Sequence, residues 1–368
     1  LLQALIQMRY WIPAMRRLIR QRNFHCITCY KAKGTPIIPK MGDLPEYRLK
    51  EGGAFLHTGI DFAGPFVIRE SLRRKAPTSK VYLCLFVCLV TKAVHLEVVS
   101  SLSTEAFLST LDRFIARRGL PEQLYSDRGS NFIGAANQLR DLYTWFEQSS
   151  TQDQIIGHTN KREVKWNFNP PYAPHFGGIW EAGVKSAKTH MLKVAGNHQL
   201  TFEELTTLFA SIEAVLNSRP LCPLSSNPEE NLYLSPGHFL IGRPLLSVPE
   251  PTLLDVQESR LSRWQFVKRQ SELFWNHWRV HYLSTLQNRK KWTSSQDNLK
   301  ENQLVLLKTP NQPYLSWPLA RIVATHPGKD GNVRVCTIKV GGSTYKRSVS
   351  NLIPLLPLSE TPDPEIAD

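Results

Sequence analysis

Three neighbouring stretches decide the fold: AFLHTGIDFAGPFVI at residues 54–68, KVYLCLFVCLVT at 80–91 and AVHLEVVS at 93–100. Each is rich in Val, Leu, Ile and Phe, and each is apolar on consecutive residues rather than on alternate ones. A strand of that kind is covered on both faces. The longest apolar run, Val81–Val90, is about half the roughly 18 residues that would suggest a membrane span, so it reads as a buried strand. Cys84 and Cys88 lie inside it and read as buried thiols.

Downstream the pattern changes. STEAFLSTLDRFIARRG (103–119) reads as a helix: Ser103 is its N-cap, Phe107, Leu108, Leu111, Phe114 and Ile115 form one face, and Gly119 stops it. EQLYSD (122–127) is a short strand, RGSNF a turn and IGAANQLRDLYTWFEQ (133–148) a helix. REVKWNFN (162–169) is a strand ended by Pro170 and Pro171. A helix is expected from about Gly178 to Val194. A longer one follows at TFEELTTLFASIEAVLNSR, opened by a capping box of Thr201 and Glu204. Strands, then alternating helix and strand, then helices indicate an α/β domain with a mixed central sheet.

The flanks differ in character. Residues 1–42 form a basic segment whose LLQALIQMRYWI is apolar at helical spacing and leads into HCITC, and a proline-broken linker follows. Residues 222–258 are Pro-rich, and 259–292 are basic, helical and Trp-bearing; Trp264, Trp275, Trp278 and Trp292 read as packing residues. Residues 303–353 read as short strands with a hairpin turn at GKDGN, a small β-barrel-like module. The tail PLSETPDPEIAD has a disordered composition.

At 368 residues the chain suggests two or three domains. The net charge is +14, and it is uneven: eight Lys and Arg precede the first acid, Asp43, while residues 259–308 carry ten Lys and Arg against three Asp and Glu. That favours a polyanionic partner, most simply nucleic acid. Six cysteines in a chain this long do not suggest a disulfide framework. His57, His95, His158, His175 and His238 show no ligand spacing. No secretory signal or membrane span is read, and the start at Leu1 suggests a piece of something longer.

Few acids lie where such a fold should converge. Asp61 is in the first strand, Asp127 ends the strand before RGSNF, and Glu181 opens a helix in PHFGGIWEAGVKSAKTHM. Strand ends and helix starts at one edge of an α/β sheet are where sites collect. Three carboxylates there would repel one another unless cations joined them. Mg²⁺ prefers oxygen ligands, and two such ions about 3.5–4 Å apart clamp the attacking and leaving oxygens of a phosphoryl displacement. Singly, Asp127 is also a good turn residue and Glu181 a good helix N-terminal charge.

The order Asp61, Asp127, Glu181 in GIDFAGPF, SDRGSNFIGA and YAPHFGGIWEAGVKSAK resembles the Asp-Asp-Glu core of retroviral and retrotransposon integrases. AVLNSRPLCPL…LSPGHFLIGRPL, with a carboxy-terminal pattern at Trp317, Gly328, Asp330, Gly331, Val333, Arg334, Tyr345, Arg347 and Val349, is most similar to integrases of BEL/Pao-type LTR retrotransposons. The resemblance implies a ribonuclease H-like core that binds two Mg²⁺ (or Mn²⁺) through Asp61, Asp127 and Glu181. Its expected work is to process the 3′ ends of element DNA and transfer them into a target. Arg128 stands where the family often has Asn, and would either meet phosphate or remain solvated. Lys185 and Lys188 correspond to lysines that contact the DNA end, although Lys185 could instead pair with Glu181. Arg334, Lys339, Lys346 and Arg347 would give the terminal module phosphate contacts. Cys26 and Cys29 would be half of a two-His, two-Cys Zn²⁺ site in the parent protein, incomplete here because the two His lie upstream of Leu1.

The expected division is therefore a partial zinc-binding segment at 1–42, a catalytic core at 48–242, a linker with a basic helix at 243–300, a small β-barrel at 301–357 and a tail at 358–368. The implied partners are double-stranded DNA and further copies of the chain, with no small-molecule substrate and no membrane. Its action would be nuclear, after a cytoplasmic particle or polyprotein stage. The competing expectations are a catalytically inactive, element-derived nucleic-acid-binding protein and a ribonuclease H-like nuclease.

Overall fold

The computed structural model describes residues 2–27, 52–101, 103–126, 148–160, 164–168, 178–195, 198–225, 227, 230–247, 250–287, 298–310 and 312–355; of residues 2, 4, 5, 23, 160, 168 and 178–186 it describes the backbone alone. The chain divides into two compact units, Leu1–Pro45 and Glu46–Asp368. In the first unit, helix α1 (Leu2–Gln7) and helix α2 (Met15–His25) replace the single helical stretch expected over 1–12. Pro13 accounts for the break: it donates no N–H, and it disfavours helical backbone at Ile12 before it.

The second unit is built on a five-stranded sheet of β1 (His57–Arg69), β2 (Thr78–Cys88), β3 (Val94–Val99), β4 (Gln123–Ser126) and β5 (Lys165–Phe168), in the order β3-β2-β1-β4-β5. β1–β2 and β2–β3 are antiparallel, while β1–β4 and β4–β5 are parallel. The sheet is mixed, as expected. β2 shows why helices must cover both faces, because Leu83, Cys84, Leu85 and Phe86 are all 0% exposed. Tyr82, Cys84, Phe86 and Cys88 pack into one core with α3 (Thr104–Arg118). Val81, Leu83, Leu85 and Val87 pack into another with α5 (Gly178–Ala195) and α6 (Phe202–Asn217). The strand's period of two thus divides one apolar run between two cores. Within β1 the register slips between Ala63 and Phe66. Gly64 sits there at φ +129, where a Cβ would come within 3.3 Å of the Val81 carbonyl oxygen.

Helix ends follow the sequence. The Ser103 hydroxyl accepts from the Ala106 N–H, Gly119 ends α3 at φ 93, and Thr201 and Glu204 form both hydrogen bonds of a capping box. The polar stretch 149–162 carries helix α4 over Ser149–Asn160. Thr151, Ile155 and Thr159 recur at helical spacing and are all buried. The Thr159 hydroxyl donates to the Ile155 carbonyl at 3.0 Å, so a polar sequence closes onto the core without a stranded donor. The helix expected at 133–148 lies outside the described residues.

β3 is an edge strand, and side chains from both faces close its free edge. Asn217 accepts from the Val94 N–H at 2.8 Å and donates to its carbonyl at 2.7 Å. Glu213 accepts from the Leu96 N–H at 2.8 Å, and Arg113 donates to the Val98 carbonyl at 3.1 Å. His95 lies buried between Glu97 (3.2 Å) and Glu213 (3.1 Å), which in turn meet Arg113, Arg117 and Arg118. An edge occupied in this way offers little to a foreign strand.

Where residues 243–300 are described, the basic helix expected there is present. Helix α8 (Arg263–Leu286) buries Phe266, Val267, Phe274, Trp275, Trp278 and Leu283 in the same core as α5 and α6. Two short paired strands, β6 (Cys222–Pro223) and β7 (Tyr233–Leu234), and a short helix, α7 (His238–Ile241), precede it. The terminal module consists of β8 (Leu304–Leu307), β9 (Leu319–Pro327), β10 (Val333–Val340), β11 (Ser343–Ser348) and β12 (Leu352–Pro354), in the order β11-β10-β9-β8-β12. Among the described residues its outer strands do not pair with each other, so the small β-barrel-like module expected is an open antiparallel half-barrel. It is joined to α8 through Trp317, whose ring meets Trp275 edge-on at 4.9 Å and Tyr282 at 5.7 Å and whose Nε1 donates to Ser218 Oγ at 3.1 Å. Trp275 and Trp278 serve packing, as expected, whereas Trp264 is 67% exposed.

Two predictions follow from this packing. Trp317→Ala should cost about 3–5 kcal/mol in urea unfolding and shift the α8 and terminal-sheet signals together; separate transitions would show that the module folds independently. Burial alone would lower the His95 pKa, but the hydrogen bonds from Glu213 and Glu97 raise it above its ordinary value. Its stabilising contribution is therefore full below about pH 6.5 and is lost as pH rises through the raised value. The urea midpoint should fall across that window in the parent and stay flat in His95→Gln.

Candidate functional site

Asp61 follows Ile60 and precedes Phe62 on β1. Both neighbours pack into the α3 core, so alternation turns Asp61 to the opposite face, the one covered by α5 and α6. Its Oδ1 accepts from the Phe62 N–H at 2.8 Å, and its Oδ2 forms an ion pair with the Lys188 ammonium of α5. Each side chain of that pair is 16% exposed, so the pair is partly withdrawn from solvent and less screened than a surface bridge. On the other face of the sheet, burial first, then the charges of Asp61 and Glu97, raise the Cys84 thiol well above its ordinary pKa. Cys84 is therefore a core residue and not a nucleophile.

The neighbouring elements are placed by register. β4 lies parallel to β1 with Ser126 opposite Ile60, so β4 reaches its last residue beside Asp61. Asp127 and Arg128, next in sequence, lie outside the described residues. Glu181 falls in the first turn of α5, seven positions before Lys188. Two helical turns separate them, which puts both backbone positions on one side of the helix. Lys185 is one turn after Glu181.

Lys188 and Asp61 are 127 positions apart in sequence. The sequence reading gave them separate roles, as a DNA contact and a metal ligand, and nothing in the local pattern joins them. Among the described residues no three His, Cys, Asp or Glu side chains stand together in ligating geometry. Cys26 directly follows α2 and is half-buried; Cys29 lies outside the described residues.

In the terminal sheet the expected cations are divided. Arg334 is held by Asp330 at 2.5 Å, and Arg334 first, then Asn332, drives the Asp330 carboxyl well below its ordinary pKa. Lys346 pairs with Thr337 and Arg347 with Cys336 across β10 and β11. Consecutive strand residues face opposite ways, so Lys346 shares a face with Lys339, while Arg347 lies on the Cys336 side with its guanidinium 5.6 Å from the Tyr345 ring centre. β11 is exposed along its whole length.

Residues 262–355 match a family of unknown function, DUF5641. That segment is about a quarter of the chain, and it coincides with α8 and the terminal half-barrel. No curated protein matches the chain. The chain is similar at 11% identity, with a TM-score of 0.36, to a chain in the structure titled "CryoEM structure of simian T-cell lymphotropic virus intasome in complex with PP2A regulatory subunit B56 gamma". The match covers 90% of this chain and 87% of that one.

Lys188→Met leaves a half-buried carboxylate without its cation and should destabilise the chain by about 1–3 kcal/mol. Adding Asp61→Asn should recover part of that loss. A double-mutant cycle in urea is expected to give a coupling of about 1 kcal/mol or more; a coupling near zero would reduce the pair to an incidental contact.

Proposed function

We propose that this chain is the integrase portion of a BEL/Pao-type LTR retrotransposon polyprotein and that it inserts element DNA into target DNA by divalent-metal-assisted phosphoryl transfer. One observation carries the reading: the Asp61–Lys188 pair seats the helix bearing Glu181 on the strand bearing Asp61, beside the end of β4. The elements that precede or carry all three acids of the motif thus meet at one edge of a mixed sheet, which suits a ribonuclease H-like core. Asp127 enters on sequence position alone, one residue past Ser126.

Asp61 offers hard oxygen donors, the ligand type that Mg²⁺ or Mn²⁺ takes, and it is anchored by a backbone N–H. Asp61, Asp127 and Glu181 would hold the two ions. When bound, such ions generate the attacking oxygen at neutral pH and stabilise the leaving one. The remaining work belongs to the chain. The Lys188 ammonium neutralises Asp61 in the free protein, and DNA phosphate is its alternative partner once that carboxylate is engaged. Lys185, a turn away, would position the same strand. Lys339 and Lys346 on one face of the terminal sheet, and Arg347 on the other, would hold backbone phosphates with little regard to base sequence. Target choice should then be loose. Double-stranded DNA is the proposed substrate, several copies of the chain the proposed assembly, and the nucleus the place of action after a cytoplasmic particle or polyprotein stage. Cys26 and Cys29 would be thiolate ligands of a Zn²⁺ site.

The test is a branched DNA that mimics the integration product, incubated with the protein and Mg²⁺ or Mn²⁺. Resealed target strand from the parent, and none from Glu181→Gln or Asp61→Asn, is the expected result. Cleavage without rejoining would make the protein a nuclease. Metal-independent DNA binding without chemistry, also in a chain extended upstream, would make it a binding protein derived from the element.

A further inference from the structure

A cavity of about 760 Å³ opens between α6, α8 and residues 313–316 of the terminal module, within the volume range of sites that take a small organic ligand. Leu246, Trp264, Val267, Tyr314 and Leu315 give it an apolar lining. Val267 and Leu315 are buried, whereas Leu246 and Trp264 are exposed, so that lining runs from the core out to solvent.

Among the described residues, four carboxylates line the same cavity, Glu203, Glu204, Glu250 and Glu272, against one cation, Lys268. In a chain of net charge +14 this is a local reversal of sign. Arg263 holds Glu204 through two hydrogen bonds, at 2.8 and 2.5 Å. Lys268 pairs with Glu250, and Glu203 is exposed to solvent. Glu272 differs. It is only 8% exposed, and none of the described cations forms an ion pair with it; Lys268, four positions earlier on α8, engages Glu250 instead. Thr252 Oγ1 and the Leu253 N–H donate to Glu272 at 2.9 and 3.0 Å, and both bonds fall on Oε2. Among the described residues Oε1 receives no hydrogen bond, and it is not sealed in, so it opens to the cavity that Glu272 lines. A carboxylate buried without a counter-charge is costly, and a cation at Oε1 would offset that cost.

The neighbouring polar groups are committed elsewhere. The Tyr314 hydroxyl donates to the Ser211 carbonyl at 2.9 Å. Burial first, then the charge of Glu272, raises its pKa, so Tyr314 offers the cavity a neutral ring. Ser247 donates to the Tyr314 carbonyl at 2.7 Å and Ser271 to that of Val267 at 3.2 Å. An anion entering here would meet like charge. The cavity's own lysine shows how its wall receives an ammonium: Lys268 Nζ lies 5.4 Å from the Trp264 ring centre while it pairs with Glu250.

We propose that this cavity is a binding site for a small amphipathic organic cation, whose protonated amine donates to Glu272 Oε1 and whose apolar body packs against Val267, Tyr314 and Leu315. Because α6, α8 and the terminal module all contribute to the wall, the bound ligand would tie the terminal sheet to the core. The site shares no residue with the acids of the proposed activity, and the inference does not depend on that activity.

The test uses the full chain, titrated calorimetrically with three indoles of similar size: tryptamine, which is cationic, tryptophol, which is neutral, and indoleacetate, which is anionic. One tryptamine per chain should bind, at least about tenfold more tightly than tryptophol, the scale of a hydrogen bond to a charged group. Indoleacetate should not bind, and tryptamine should raise the urea midpoint. Glu272→Gln keeps an acceptor for Thr252 and Leu253 and should bring tryptamine down to the tryptophol level. Glu203→Gln removes a solvated charge from the same wall and should change the affinity by less than about twofold. Thr207 is exposed on α6 and lines the cavity, so Thr207→Trp should fill the space and abolish binding of both indoles. Equal binding of the three indoles, equal losses in Glu203→Gln and Glu272→Gln, tryptamine binding that survives Thr207→Trp, or no saturable tryptamine binding would overturn the proposal. The melting temperature of each variant reports whether it is folded; should Glu272→Gln be unfolded, the parent's selectivity and Thr207→Trp decide.

Discussion

The structure depends on the two-sided burial of its central strands. β2 has no polar face, so the sheet is stable only as the middle layer of three. Helix α3 answers one face with Phe107, Leu111 and Phe114, and α5 and α6 answer the other with Met191, Leu208, Phe209 and Ile212. Asp61 is one of the few polar interruptions in this apolar surface. Its carboxylate is held near the core by a backbone N–H and a lysine, and the same burial that fixes β1 fixes the position of that acid.

A second constraint follows from the first. The core on the α5–α6 side does not end at those helices but runs on through Trp275 and Trp278 of α8 to Trp317, Leu306 and Ile353 of the terminal sheet. Hydrogen bonds reinforce the join: Tyr282 donates to the Pro220 carbonyl at 2.6 Å and Tyr314 to that of Ser211 at 2.9 Å. The family match over residues 262–355 begins within this continuous packing, starting one residue before α8 and ending one residue after β12.

Much of the fold was legible because its signals are local. The three strands, the Ser103 cap, the Gly119 stop, the Thr201–Glu204 capping box and the α5 boundaries all stood in the sequence, since each depends on residues within a turn or on a short repeat. The features that were not legible have a common cause. A polar composition hid the Thr151–Ile155–Thr159 stripe of α4, because a threonine hydroxyl that bonds back to its own helix buries as cheaply as an apolar group. Closure of the terminal sheet depends on which outer strands meet, and no single strand records that.

At the site, the order of the acids, the elements that carry them and, through strand alternation, the face to which Asp61 turns are readable along the chain. Periodicity and capping are encoded within a few residues, so they survive without knowledge of the rest of the chain. Packing alone brings Lys188 against Asp61, closes the β3 edge with Glu213 and Asn217, and sets His190 beside His277 and His281. Those meetings join residues dozens to more than a hundred positions apart. Their partners are chosen by how whole helices pack on a sheet buried from both sides.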